Sequence, residues 1–294
     1  MQVVWLGDPG SDETALVGGK ASGLGAAARR WQVPPGFCVV SDGPPHNGAE
    51  RALLTAAYER LGRELGEDAP AVAVRSSALD EDGEAASFAG QYETVLNVVG
   101  PAALEEAVAR CFASARANRV VEYRRNRGLG GGAAPISVLV QALVVADAAG
   151  IVFTADPVRG DSGRVVVNAS WGLGEAVVSG LVTPDMWLLD KAALLDGQGA
   201  TAIIERHVAD KERMTVAVPE GVATVNVPRM LRSVPCLTDD AIVAAAGLAL
   251  ELEGDRGFLC DVECAWRSGR LHLLQCRPVT TVPEPAGTTV STGP

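Results

Sequence analysis

Asp261-Val262-Glu263-Cys264-Ala265-Trp266-Arg267, Ser268-Gly269-Arg270 and Leu271-His272-Leu273-Leu274-Gln275-Cys276-Arg277 read as two strands around a turn. Gly269 is available for the left-handed position of a three-residue turn, which pairs Arg267 with Leu271. Continuing that antiparallel register sets Glu263 opposite Gln275 and Asp261 opposite Arg277. Side chains alternate along a strand, so Asp261, Glu263, Gln275 and Arg277 share one face. Cys260, Val262, Cys264, Leu274 and Cys276 fall on the other, mainly apolar face, and His272 lies on that far side too. The polar face gathers two carboxylates, an amide oxygen and a guanidinium. Hard cations such as Mg²⁺ take oxygen ligands of this kind together with substrate phosphates, and arginine offers phosphate a fixed fork of donors. On the hairpin alone, such a site and a plain polar face with an Asp261–Arg277 cross-strand pair fit equally well.

Upstream, residues 239–253 carry Ile242, Ala245, Ala246, Ala249 and Leu250 on one side of a helix. Strands are expected at residues 3–6, 37–40, 71–75, 92–98, 136–145, 150–154 and 165–169. Helices are expected at 21–31, 49–65 and 101–126. The last of these starts at Pro101, carries Leu104, Val108, Cys111, Phe112 and Ala115 as its apolar stripe, and ends on Arg124, Arg125 and Arg127. Residues 76–91 show no helical stripe and read as a long functional loop. Residues 146–149 are the best place for a hinge. Strands, helices and hairpins mixed without regular βαβ alternation indicate an α+β protein in two lobes, with lobes at 1–145 and 146–280 and a loose tail at 281–294.

Two further pieces suit phosphate. Lys20 sits in the glycine-rich turn Gly18-Gly19-Lys20, where backbone N–H groups can approach an anion closely. Its spacing is neither that of a P-loop nor that of the dinucleotide fingerprint. Val74-Arg75-Ser76-Ser77 ends a buried strand in a guanidinium and two hydroxyls. Alone, the first reads as an ordinary glycine turn before a helix, and the plain reading of the second is a surface loop.

The chain has 294 residues and a formal net charge of −11, which argues against a nucleic-acid surface while leaving room for a local cationic pocket. No apolar run is long enough to span a membrane, and the N-terminus does not read as a signal peptide, so a cytoplasmic protein is expected. The six cysteines are scattered, and Cys260 and Cys264 are expected on the buried face of a strand rather than on a metal.

Eight ordered motifs resemble one family. They are Gly18-Gly19-Lys20, Val33-Pro34-Pro35-Gly36-Phe37, Arg75-Ser76-Ser77-Ala78, Ser87-Phe88-Ala89-Gly90-Gln91, the run from Gly150 to Pro157, Trp171-Gly172-Leu173-Gly174-Glu175, Thr183-Pro184-Asp185 and the run from Leu274 to Thr280. They recur in this order in the pyruvate phosphate dikinase, phosphoenolpyruvate synthase and rifampin phosphotransferase group. The resemblance implies an ATP-grasp fold holding ATP and Mg²⁺ between two lobes. It implies Lys20 and Arg75 as triphosphate ligands, Gln141 on the adenine side, Glu263 and Gln275 as metal ligands, and Arg277 beside the transferred phosphates. Gly90 and Glu175 carry over as further nucleotide contacts. The reaction implied is ATP to AMP and phosphate, with phosphorylation of a small molecule or of a histidine on a partner domain.

Two departures stand out. The segment from Lys20 to Arg75 is short for the family, and none of the three histidines, His46, His207 and His272, has the context of a phosphohistidine. An ATP-grasp ligase releasing ADP, and a subunit that binds ATP without turnover, are the other readings.

Overall fold

The computed structural model describes residues 1–78, 82–83, 86–87, 93–116, 136–219 and 221–279. Two antiparallel sheets dominate. The first contains β1 (Gln2–Trp5), β2 (Gly36–Val40), β3 (Val72–Ala78), β6 (Thr94–Val98) and β7 (Ile136–Ala142), in the order β1-β2-β7-β3-β6. The second contains β8 (Ala148–Phe153), β9 (Arg164–Trp171), β10 (Asp185–Asp190), β11 (Ile203–His207), β14 (Cys260–Arg267) and β15 (Arg270–Pro278), in the order β11-β10-β9-β8-β14-β15. Two small ladders complete the set: β4 (Asp82–Gly83) with β5 (Ala86–Ser87), and β12 (Arg213–Val218) with β13 (Gly221–Asn226).

Helices cover one face of each sheet. On the first, α2 (Gly48–Leu65) and α3 (Pro101–Ser114) bury Leu54, Tyr58, Leu61, Leu104, Val108 and Phe112 against Phe37, Val39, Val72 and Val74. The Asn47 side chain caps α2 by accepting from the Glu50 N–H at 3.0 Å, and Gly66 ends it in the left-handed region. On the second, α6 (Asp239–Arg256) presents Ile242, Ala245, Ala246, Ala249 and Leu252, with Leu252 rather than Leu250 completing the buried stripe. The remaining helices, α4 (Glu175–Val178) and α5 (Lys191–Leu195), are single turns.

Helix α1 (Thr14–Ala27) joins the two sheets. Its Val17, Ala21, Leu24 and Ala27 are fully buried and pack with Val4, Cys38 and Leu139 of the first sheet and with Val262, Cys264 and Leu273 of the second. The glycine-rich stretch is therefore helix rather than the turn before one. It is interrupted only at Gly18, whose φ is 77°. A Cβ there would lie 2.2 Å from the Ser77 carbonyl oxygen, so only glycine lets the helix touch the end of β3. That close approach places Lys20 against the same strand end.

Strand β3 continues through Ala78, three residues beyond the strand expected there, and a short β4–β5 ladder stands where a continuous loop was expected. Strand β8 starts at Ala148, so only residues 143–147 lie between β7 and β8. Residues 176–238, in which the sequence reading placed no element, supply β10 to β13. The run Asp185–Asp190 lacks a clear period-2 signal, whereas Met214, Val216 and Val218 alternate with Arg213, Thr215 and Ala217, so this strand was legible though not read. The expected helical extension through residue 126, with its arginines, and the tail at 281–294 lie outside the described residues. Cys260 and Cys264 are buried on the apolar face of the hairpin, as expected.

Candidate functional site

The decisive hairpin reaches its expected polar pairing by a different route. Its turn has two residues, Ser268 (φ 51°) and Gly269 (φ 77°), and Arg267 pairs with Arg270. Positive φ at both central positions matches the twist of a tight hairpin. Asp147 holds this turn, accepting from Ser268 N at 2.6 Å and from Arg267 Nη1 at 2.8 Å. The one-residue error this introduces is cancelled by a bulge. Cys264 pairs with Leu273, Glu263 pairs with Gln275, and Leu274 is the extra residue between them. Asp261 then pairs with Arg277 as expected.

The bulge corrects two other placements. Leu273, not Leu274, enters the core, and Leu274 lines the cleft. His272 pairs with Ala265, which also lines the cleft, so it shares that face of the hairpin rather than the apolar one. Burial and the nearby Arg270 charge hold the His272 imidazole below its usual range.

The polar face opens into a cleft of about 640 Å³ between the two sheets. Lys20, Arg75, Gln141, Glu175, Glu263, Gln275 and Arg277 all line it, although they lie on six separate elements of a 294-residue chain. Gly90 lies outside the described residues. Asp261 joins the lining. Among the described residues the charged lining is balanced, with Lys20, Arg75 and Arg277 against Glu175, Asp261 and Glu263.

Each side chain is held from behind. Lys20 is 6% exposed and donates to the Ser76 carbonyl at 3.0 Å. The period of β3 sends Val74 into the core and Arg75 into the cleft. Arg75 crosses to the other sheet. Its Nη1 donates to the Leu274 carbonyl at 2.9 Å, and its Nη2 donates to Gln275 Oε1 at 2.6 Å and Glu263 Oε2 at 3.3 Å. Gln141 donates to the Pro34 carbonyl at 3.0 Å, so this amide braces the segment that leads into residues 142–146 of the cleft wall. Glu175 stands at the start of the single-turn α4, after Gly172 (φ 81°). A Cβ on Gly172 would meet the Thr215 carbonyl at 2.3 Å, and Leu173 N donates to that carbonyl at 2.8 Å. Asn97, at the end of β6, donates to the Val218 and Gly221 carbonyls at 2.6 and 2.7 Å, fastening the β12–β13 turn to the first sheet.

Arg277 donates through Nε and Nη2 to the single oxygen Oδ2 of Asp261, at 2.9 and 2.8 Å. Asp261 Oδ1 is buried with no hydrogen-bond partner among the described residues. Desolvation raises the Asp261 carboxyl above its usual range despite the Arg277 charge, and Glu263 adds to the rise. A folded-state value above the unfolded one means that the native state binds the extra proton. This group therefore stabilises the fold less as pH rises from about 3.8 through the folded value. The stability of the wild type minus that of Asp261→Asn, followed by urea unfolding, should fall across that window. A flat difference would remove the burial argument.

The apolar half of the cleft was legible but unread. Ala73 alternates with Arg75 on β3, Thr94 with Leu96 on β6, and Ile151 with Phe153 on β8. Ile151 and Phe153 stand directly opposite Glu263 and Asp261. Period 2, carried from the polar residues to their neighbours, would have found them.

A mixed α/β chain with cations and oxygen donors converging in one inter-sheet cleft has the features of a domain that binds a phosphorylated ligand. Residues 47–292 match the model of the pyruvate phosphate dikinase AMP/ATP-binding domain, and the chain belongs to that family. A probable phosphoenolpyruvate synthase of Methanocaldococcus jannaschii is 32% identical over 95% of this chain and 27% of its own length. The prodigiosin-synthesizing transferase PigC of Serratia marcescens is 36% identical, over 96% of this chain and 34% of its own. A rifampicin phosphotransferase of Streptomyces sviceus is 35% identical, over 93% and 36%. The chain thus spans roughly a third of these relatives. No helix among the described residues is long and apolar enough to cross a membrane.

Proposed function

We propose that this chain binds Mg-ATP in the inter-sheet cleft and transfers a phosphoryl group in a dikinase reaction, giving AMP, phosphate and a phosphorylated acceptor. The observation that carries the reading is the convergence of Lys20, Arg75 and Arg277 with the oxygen donors Glu263 and Gln275 on one cleft. Phosphoryl transfer rests on positioning and on neutralising charge at the phosphates, and this lining offers both. Relatives named phosphoenolpyruvate synthase and rifampicin phosphotransferase support the class of reaction.

The fold reading is a two-lobed ATP-grasp, with lobes at 1–145 and 146–280. The adenine would lie along residues 141–146 and the apolar wall of Ile151 and Phe153. Lys20, Arg75 and Arg277 would hold phosphates, with Glu175 as a further nucleotide contact at the rim.

The donor set fits Mg²⁺. Glu263 and Gln275 are adjacent oxygen donors on paired strands, and the orphaned Asp261 Oδ1 is buried beside them. Among the described residues no cluster of three His, Cys, Asp or Glu would hold an ion by itself. That suits a metal that keeps only one or two carboxylates and completes its shell from substrate phosphates. When bound, the ion would offset charge on the phosphates. Among the described lining residues, three cations face three carboxylates, so a bound ion would add positive charge for a polyanion.

The acceptor is a small molecule in the cleft or a histidine on a partner domain, and we place the reaction in the cytoplasm. Phosphorus NMR of the protein with Mg-ATP and candidate acceptors, with and without a histidine-domain partner, tests this. AMP and phosphate are expected. ADP would replace the reading with a simple kinase or a ligase, and bound but unchanged ATP with a binding subunit.

A further inference from the structure

We propose that Arg75 is a resident cation that keeps Glu263 and Gln275 assembled yet closed to a free divalent ion. A metal would then enter only together with a phosphate-bearing ligand that draws the guanidinium away. The inference rests on the reading of the cleft as a Mg-ATP site and adds an order of entry to it.

The geometry is specific. Arg75 belongs to the first sheet, whereas its three acceptors belong to the hairpin of the second. Its Nη2 sits between Gln275 Oε1 and Glu263 Oε2, the two oxygens a metal would need. Its Nη1 is held by the Leu274 carbonyl at 2.9 Å. Leu274 is the residue the bulge leaves without a cross-strand partner, so its carbonyl is released from the ladder and turned to the cleft. Both members of the ion pair are largely enclosed, with side-chain exposures of 12% and 16%, which keeps solvent from screening the charge.

A free divalent cation approaching Glu263 would meet a fixed positive charge already seated there. It would have to displace the guanidinium from Gln275 and Glu263. A polyphosphate changes that balance, because its oxygens match the guanidinium fork better than an amide and a carbonyl do. The described partner of Arg277, Asp261, sits on the neighbouring strand of the same hairpin.

The test uses Mn²⁺ alone as the probe, with free ion counted by paramagnetic resonance, on the wild type, Arg75→Gln, Arg75→Lys and Arg75→Gln/Glu263→Gln. Arg75→Gln should bind free Mn²⁺ about tenfold or more tightly than the wild type, the scale on which one adjacent charge shifts a carboxylate's affinity for cations. The gain should vanish in the double variant, and Arg75→Lys should stay near the wild type. Equal affinity in the wild type and Arg75→Gln overturns the inference. Should Arg75→Gln fail to fold, Glu263→Gln alone decides: unchanged free-Mn²⁺ binding supports the resident cation, and weakened binding overturns it. A parallel titration with a non-hydrolysable ATP analogue separates the two readings. Analogue binding with a flat free-Mn²⁺ result removes only this inference, whereas no analogue binding removes the cleft assignment and this inference with it.

Discussion

Arg277→Ala should lower the rate of phosphoryl transfer by about 10³-fold or more, the scale on which an arginine beside a transferring phosphoryl group acts. The side chain lies on the polar face of the hairpin with its guanidinium at the cleft. The cross-strand pair of Asp261 with Arg277 adds a complication. Arg277 also neutralises Asp261, which is 6% exposed and has one oxygen without a partner among the described residues. Truncation therefore leaves a poorly compensated carboxylate, and a lower unfolding midpoint is expected beside the lost rate.

Arg277→Lys separates the two effects. The ammonium can still neutralise Asp261, so most of the stability should return. It cannot reproduce the planar fork at a phosphate, so the rate should stay low. Single-turnover rates and urea unfolding on both variants decide the matter. Full activity in either would remove Arg277 from the site, and a rate that returns in step with stability would make its role structural.

Lys211→Met should destabilise the fold by about 3–5 kcal/mol, the usual cost of stranding a buried charge. Lys211 is 1% exposed and Asp185 fully buried, and the two meet at 2.5 Å. Asp185 Oδ1 also accepts from Ala209 N at 2.9 Å, and Oδ2 accepts from Cys236 N at 2.9 Å. The Lys211 ammonium donates further to the Ala209 carbonyl at 3.0 Å. One carboxylate thus ties the start of β10 to two distant loops. Removing the lysine leaves it charged in a dry site with two backbone N–H donors and the Cys236 thiol. The double variant Lys211→Met/Asp185→Asn should recover part of the loss, because it removes the stranded charge and its amide oxygen can still accept one of the two backbone bonds, while its NH2 faces the other N–H. Chemical unfolding of both variants is the measurement. A loss below about 1 kcal/mol would mean that water reaches the pair.

The two cases differ in how far they could be read from residues alone. Asp261, Glu263, Gln275 and Arg277 declared a common face through alternation, a local property of any strand. The pairing of Glu263 with Gln275 was legible, but through compensating errors, a turn one residue too long and an unseen bulge. Lys20 and Arg75 declared themselves as cations in backbone settings suited to phosphate, and the apolar stripes of α2, α3 and α6 lay in their spacing. Asp185 stood in a recognisable motif, yet nothing marked Lys211 as its partner.

The mixed helix-and-strand character, the strand faces, most helix stripes, the family, and the residue types lining the cleft were all legible in local residue pattern. Which of those residues meet was settled by the fold. Arg75 reaches Glu263 and Gln275 across 188 and 200 residues of chain, and Asp185 reaches Lys211 and Cys236 across 26 and 51. Side-chain type states that a charge must find a partner when buried. Which partner it finds depends on sheet order, bulge position and loop path, which are settled by the packing of the whole chain.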